Sequence, residues 1–293
     1  MNNIVIKDVN KTYDGKTYAL KNINLEIKNG MFGILGRNGS GKSTLMNMLS
    51  TILQQSSGTI EINNISLTQT KQIRKMIGYL PQDFDFYPNM KVKETLHYLG
   101  ILSGIPKANL KINVAASLEK VNLVEHQNKK VKSLSGGMKK RLGIAQAIIH
   151  NPQVLIVDEP TAGLDPEERV RLRHLLSNLA KDKIVIISTH IVSDIESTCE
   201  NIAILDKGVI AYKGSIKNLI ELSDNKVYEI TISPSKLNQL KKNNIFITKI
   251  QEYEHLLKVR FVSESNLEGT RKVKQDFEDA YMYFLKMNQG GKR

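Results

Sequence analysis

The stretch Gly36-Arg37-Asn38-Gly39-Ser40-Gly41-Lys42-Ser43 has the spacing G-x-x-x-x-G-K-S. Glycines at those positions let consecutive backbone N–H groups converge on phosphate oxygens, the lysine reaches a β- or γ-phosphate, and the serine hydroxyl suits Mg²⁺. Thr44 begins a segment of helical spacing directly behind the loop, so the positive end of a helix adds to the cradle. ATP and Mg²⁺ are the ligands this pattern calls for. A second pattern is the apolar run 154–157 followed by Asp158 and Glu159, which delivers two carboxylates at a strand end, where open α/β sheets bind ligands. Adjacent strand residues project to opposite sides, which suits Asp158 to the Mg²⁺ shell and Glu159 to polarising a water in line with the γ-phosphate. Alone, an Asp-Glu ending also reads as a loop cap. His190 closes a third run, 187–190, from which it could orient the γ-phosphate and the attacking water; a satisfied, half-buried histidine is the competing reading.

These groups need a sheet to carry them. Residues 4–27 read as short strands broken at the hairpin signal Asp14-Gly15, with a second turn signal at Asn29-Gly30. Residues 31–35 are a short apolar strand that runs into the glycine loop, and 44–49 continue as a helix. From about residue 92 to 150 apolar side chains fall at helical spacing, broken at 104–106 and 133–137, which marks a helical insertion spanning about 84–150. Strands at 154–157 and 184–187 flank a helix at 166–180, the alternation of a mainly parallel sheet. A polar break at Ser223-Asp224-Asn225 precedes a restart at 227–232. The expected organisation is a first domain over 1–223 and a small C-terminal accessory α+β domain over 224–293, in which 277–285 also reads as an amphipathic closing helix. The expected fold is α/β: a P-loop ATPase core with an antiparallel β subdomain and a helical insertion, followed by that small domain.

Between the glycine loop and the Asp-Glu strand stands Leu134-Ser135-Gly136-Gly137-Met138, which resembles the signature sequence of the ATP-binding cassette (ABC) ATPases. Six motifs in the family's order, over about residues 4–222, carry the resemblance. It implies that Tyr13 stacks on adenine, although a tyrosine there also fits an edge strand. It implies that Gln82, in Gly78-Tyr79-Leu80-Pro81-Gln82, links Mg²⁺ or the attacking water to a loop that moves with the helical insertion. It further implies a head-to-tail dimer in which Ser135, Gly136 and Gly137 of one chain close on ATP held by the other chain's Gly36–Ser43 loop. Ser-Gly-Gly entering a helix has the unobstructed N–H donors for this. Met138 departs from the glutamine frequent at its position, with little expected effect on hydrolysis, since that position supplies no catalytic group.

Composition limits the setting. A net charge of +13, from 42 basic and 29 acidic residues, suits a nucleic acid, an anionic membrane face or a polyphosphate equally. The densest basic stretch, Lys129, Lys130, Lys132, Lys139, Lys140 and Arg141, reads as a solvated face. A single cysteine, Cys199, excludes an intrachain disulfide and suits a reducing compartment. The N-terminus lacks the pattern of a signal peptide. No apolar run approaches the ~20 residues that span a bilayer, so membrane association must come from a partner. The resemblance supplies one: separate transmembrane permease subunits docking near Gln82 and the helical insertion, where residues 83–88 are rich in aromatics that read equally as core. A second ATPase subunit, as a homodimer or paired cassette, completes the expected assembly at the cytoplasmic face of the plasma membrane. The chain also resembles bacterial export cassettes of the ABC-2 type, which implies export of drugs, peptides and other hydrophobic or amphipathic substrates, with an importer as the alternative. A soluble cassette acting on ribosomes or DNA is disfavoured by the single core and the lack of a long coiled-coil insertion, so no stable nucleic-acid partner is expected.

Overall fold

The computed structural model describes residues 2–241 and 245–290. Contacts divide the chain into two units, Met1–Lys213 and Gly214–Arg293. The first opens with β1 (Asn3–Thr12) and β2 (Tyr18–Lys28), paired antiparallel. In the turn between them Asp14 accepts backbone N–H groups from Thr17 and Lys16 at 2.6 and 2.8 Å. These bonds, that from Thr17 foremost, hold its carboxyl below the usual carboxylate range. Then come β3 (Gly30–Leu35), α1 (Lys42–Leu49), β4 (Ser57–Ile62), β5 (Ile65–Ser66), α2 (Thr70–Met76) and β6 (Ile77–Leu80). The helical insertion follows as α3 (Val92–Leu102), α4 (Lys107–Lys120) and α5 (Gly136–Ile148). The remainder is β7 (Val154–Asp158), α6 (Pro166–Leu179), β8 (Ile184–Thr189), α7 (Val192–Glu196), β9 (Asn201–Asp206) and β10 (Val209–Ser215).

Two sheets result. One is antiparallel, in the order β2-β1-β4-β5; the other has six strands in the order β10-β9-β3-β8-β7-β6, with β3, β6, β7, β8 and β9 paired in parallel. Period-two alternation in β1 and β4 turns Ile4 and Ile6 inward opposite Ile62 and Ile60. Those side chains share one core with Leu45, Met46, Met48 and Leu49 of α1 and with Ile34, Ile156 and Ile186. Every residue of β7 and β8 is buried, as expected for parallel strands covered on both faces. The apolar core therefore anchors α1 and the C-terminal ends of β3, β7 and β8 to one another.

At Gly78 a Cβ would collide with the carbonyl of Ala147, because β6 lies directly against α5. Gly78→Ala is expected to destabilise the first unit by about 1–3 kcal/mol through overpacking. Calorimetry should show its transition several degrees lower, and an unshifted transition would mean that β6 and α5 separate freely. Cys199 is buried, and burial pushes its thiol up to about 12. The native protein should therefore leave a disulfide reagent at pH 8 unreacted, and titrate its one thiol only in denaturant.

The second unit contains α8 (Ile216–Leu222), β11 (Val227–Ile232), α9 (Leu237–Lys241), β12 (Phe246–Tyr253), β13 (Leu256–Val262), β14 (Arg271–Lys272) and α10 (Phe277–Gly290). Its sheet is antiparallel, ordered β12-β13-β11-β14, and Tyr228 stacks on Phe261 across β11 and β13 at 5.9 Å. Arg260 is clamped by the fully buried Asp279 of α10 through bonds of 3.0 and 2.5 Å. The division at 213/214 falls ahead of α8, whereas the polar break in the sequence lies behind it. Packing explains the difference, since α8 lies on α10.

Candidate functional site

Buried β3 delivers the chain to Gly36, where a Cβ would strike the carbonyl of Leu205 and the hydroxyl of Ser40. Gly39 and Gly41 have φ of +78° and +105°, a left-handed backbone that other residues adopt only with strain. Gly41 is the N-cap of α1 and contributes no side-chain cap, so the first-turn N–H groups have no side-chain acceptor there. Lys42 folds back over the loop and donates to the carbonyls of Gly36 and Arg37 at 2.7 and 3.3 Å. Ser40 Oγ, buried inside the loop, has no hydrogen-bond partner among the described residues. The exposed Ser43 follows, and Thr44 Oγ1 lies 3.5 Å from Tyr13 Oη. Tyr13 is 69% exposed and Lys11 Nζ stands 5.3 Å from its ring centre, so the face turned away from Lys11 is the one left for stacking beside the start of α1. Glycine backbone, an inward lysine and an uncapped helix start form a donor set that fits a polyphosphate.

The carboxylates arrive at the end of β7, which lies one strand beyond β8 from β3. Leu35 of β3 pairs with Thr189 of β8, and Asp158 of β7 pairs with Ser188, which sets the loop beside both acids. Asp158 is buried and accepts from the Ser188 hydroxyl. The expectation that Asp158 and Glu159 diverge as strand neighbours needs correcting. Strand β7 ends at Asp158, and Glu159 takes a left-handed φ of +47° while its N–H bonds the carbonyl of Ser188. A turn rather than the pleat therefore aims Glu159, at a strain of about 1–3 kcal/mol. Its carboxylate meets His190 Nδ1 at 3.0 Å and Lys42 Nζ at 3.6 Å. His190 is about half exposed, while Glu159 and Lys42 are each only 6% exposed at the side chain.

Lys42, Asp158, Glu159 and His190 are thus gathered at one sheet edge. A divalent ion that shares its shell with phosphates and waters needs only one or two protein oxygens; the Ser43 hydroxyl and the Asp158 carboxylate suit a hard cation.

Gln82 is exposed, and its recorded bond is through the main chain, its carbonyl accepting from Lys140 Nζ of α5 at 3.1 Å. The structure thus joins it to α5 rather than to Asp158 or Ser43. Ser135 is the N-cap of α5, where its hydroxyl accepts the N–H of Met138 at 3.2 Å. Gly136 faces open space, and Gly137 lies so close to Glu168 of α6 that a Cβ would collide with it. Among the described residues no hydrogen bond joins Ser135, Gly136 or Gly137 to the chain's own phosphate loop.

Sequence reasoning passed over Lys140, read with its neighbours as a solvated face. It is half-buried, and burial holds its pKa below the usual lysine range against the opposing pull of Asp83, Asp158 and Glu159. Tyr79 was also missed as a brace. It donates to Asn47 of α1 at 3.1 Å, and burial, with Asp158 nearby, pushes its hydroxyl up to about 12. A further omission was Asp194, fully buried, which accepts from Thr161 and lies 3.4 Å from Arg173. It stands in α7, four residues beyond His190, where no local pattern marks it.

A glycine loop between a central parallel strand and a helix, with acids at the end of β7, one strand removed from β3 across β8, defines a P-loop ATPase. The sequence model of the family described as ABC transporter matches residues 20–162. The chain is 38% identical over 215 residues to the ABC transporter ATP-binding protein YxlF of Bacillus subtilis, covering 73% of this chain and 72% of that one. To the linearmycin resistance ATP-binding protein LnrL of the same organism it is 32% identical over 254 residues, covering 85% and 79%. The phosphonates import ATP-binding protein PhnC of Wolinella succinogenes is 33% identical over 245 residues, covering 76% and 87%. Among solved structures, the dimeric ATP-binding cassette MJ0796 bound to ADP and Pi superposes with a TM-score of 0.64 at 30% identity, covering 72% and 98%. The chain belongs to the ABC transporter family, as an ATP-binding subunit of the ATPase class.

Proposed function

We propose that this chain hydrolyses Mg²⁺-ATP as one half of a head-to-tail dimer and so drives separate permease subunits in export. The observation that carries the chemistry is the cluster of Glu159, His190 and Lys42 beside the glycine loop. In this reading the loop N–H groups and Lys42 hold the β- and γ-phosphates, and Tyr13 stacks on adenine. Ser43 and Asp158 would hold Mg²⁺, which supplies charge neutralisation at the phosphates. Glu159 takes the proton of the attacking water, while His190 keeps that carboxylate aimed and faces the γ-phosphate. Gln82 senses the nucleotide from its loop. Ser135, Gly136 and Gly137 reach the partner chain's γ-phosphate, a role that agrees with their lack of bonds to the chain's own loop.

Among the described residues no helix is long and apolar enough to cross a membrane; in this reading separate permease subunits supply the transport path. A cavity of about 490 Å³, lined by Ile52, Tyr79, Phe84, Phe86, Leu99 and His150, suits an apolar helix from a permease. Peripheral attachment at the cytoplasmic membrane face follows from that docking. Export of an amphipathic compound is favoured because the likeness to LnrL covers 85% of the chain and so reaches into the second unit, which begins at Gly214. The likeness to PhnC keeps import as the second reading. Purification of the chain from membranes should recover a permease, and inverted vesicles bearing that complex should take up substrate on addition of ATP. Uptake only in right-side-out vesicles would reverse the direction, and consistent recovery of ribosomes or DNA would overturn the transport reading.

A further inference from the structure

The Gln82 loop and helix α5 are fastened together at two successive turns of that helix. Lys140 Nζ donates to the Gln82 carbonyl at 3.1 Å and lies 5.3 Å from the centre of the Phe84 ring. Near one turn further on, Gly143 leaves room for Leu80 and Phe84, since a Cβ there would stand 2.6 Å from the Leu80 side chain and 2.9 Å from the Phe84 ring. A cavity of about 350 Å³ has Gln82, Phe84, Gly136, Lys140 and Ala162 in its wall. It brings together the Gln82 loop, the start of α5 and the loop that follows Glu159. We propose that Lys140 is a positioning residue that couples the Gln82 loop to α5, so that nucleotide arriving in one chain's cradle sets the Ser135-Gly136-Gly137 end of that same chain. The inference rests on the two-chain reading above.

The physical case lies in the stiffness of the parts. Ser135 and Lys140 belong to one helix, capped by the Ser135 hydroxyl, so a pull on Lys140 moves both together. The bond from Lys140 is charge-assisted, which strengthens it over a neutral contact. Its ammonium also sits over an aromatic face, where a cation is attracted. Gly143 provides proximity, but an apolar contact can slide; the ammonium bonds one chosen carbonyl. A shift of the Gln82 loop thus reaches α5 through a directional contact.

Test variants are made in the Glu159→Gln background, where ATP-driven dimers are expected to accumulate. Lys140→Met keeps the aliphatic stem and removes the bond; it should raise the ATP concentration at half-maximal dimerisation by about tenfold, measured by analytical ultracentrifugation. ADP affinity of the single chain should stay within about twofold and the melting temperature should not shift, a split that a merely structural role does not produce. Lys140→Arg should restore the midpoint, whereas Lys140→Gln, uncharged, should fall between. A Lys140→Met midpoint equal to that of its parent overturns the coupling, as does a parallel loss of ADP affinity, which would place Lys140 in the cradle itself. Failure of the Glu159→Gln parent to dimerise with ATP overturns the two-chain reading instead, and the coupling with it.

Discussion

Glu159→Gln is expected to lower ATP turnover by roughly 10²–10⁴-fold, the usual contribution of a positioned base, while ATP binding survives. The substitution preserves shape and leaves one oxygen to accept from His190 Nδ1, now 3.0 Å from both carboxylate oxygens. It also removes the negative charge 3.6 Å from Lys42 Nζ, which frees the ammonium for phosphate. Binding should therefore be as tight as in the parent or tighter, and dimers should persist with ATP. The checks are single-turnover hydrolysis beside equilibrium binding. Turnover within about tenfold of the parent would remove Glu159 from the role of base.

Lys42→Ala should act in the opposite sense, on binding. A charge-assisted bond is worth about 1.5–3 kcal/mol, so ATP affinity should fall roughly 10–100-fold. Turnover should fall further, by about 10²–10³-fold, because the lost charge also faces the transition state. The variant has a cost in stability as well: Glu159 is buried and would lose one of its two cationic or donor partners. Isothermal titration with ATP and with ADP checks the first claim, and thermal melting the last. Unaltered affinity for both nucleotides would show that the loop N–H groups alone hold the phosphates.

Comparison of residues with coordinates shows what patterning can reveal. The glycine loop, the apolar strands 154–157 and 184–187 and the helical insertion were legible because each rests on local rules: turn chemistry, strand burial and helical period. So was the convergence of Asp158 and His190, since ends of parallel strands share an edge. The direction of Glu159 was not, because the end of β7 and a positive φ override the alternation of strand side chains. Lys140 was hidden by its neighbours: in a basic run, composition says solvated, and only the packing of α5 turns Lys140 toward residues 80–84 and Arg141 toward Glu168 and the carbonyls of Val121 and Asn122. Gln82 presents the same limit in reverse, since its motif points to the nucleotide while the described geometry records its carbonyl on α5. The brace from Asp194 to Thr161 and Arg173 joins residues far apart in sequence, which no local rule connects.

The bonds that Lys42 makes to the carbonyls of Gly36 and Arg37 bear on which nucleotides the site rejects. An incoming ligand must draw the ammonium away from two oxygens and from the pull of Glu159 before gaining its charge. Adenosine and AMP carry no group at the β position and leave that loss uncompensated, however well the base stacks on Tyr13. Discrimination by length of the phosphate chain is thereby expected from the loop's own closure, with AMP and adenosine binding far more weakly than ADP or ATP and no residue devoted to excluding them.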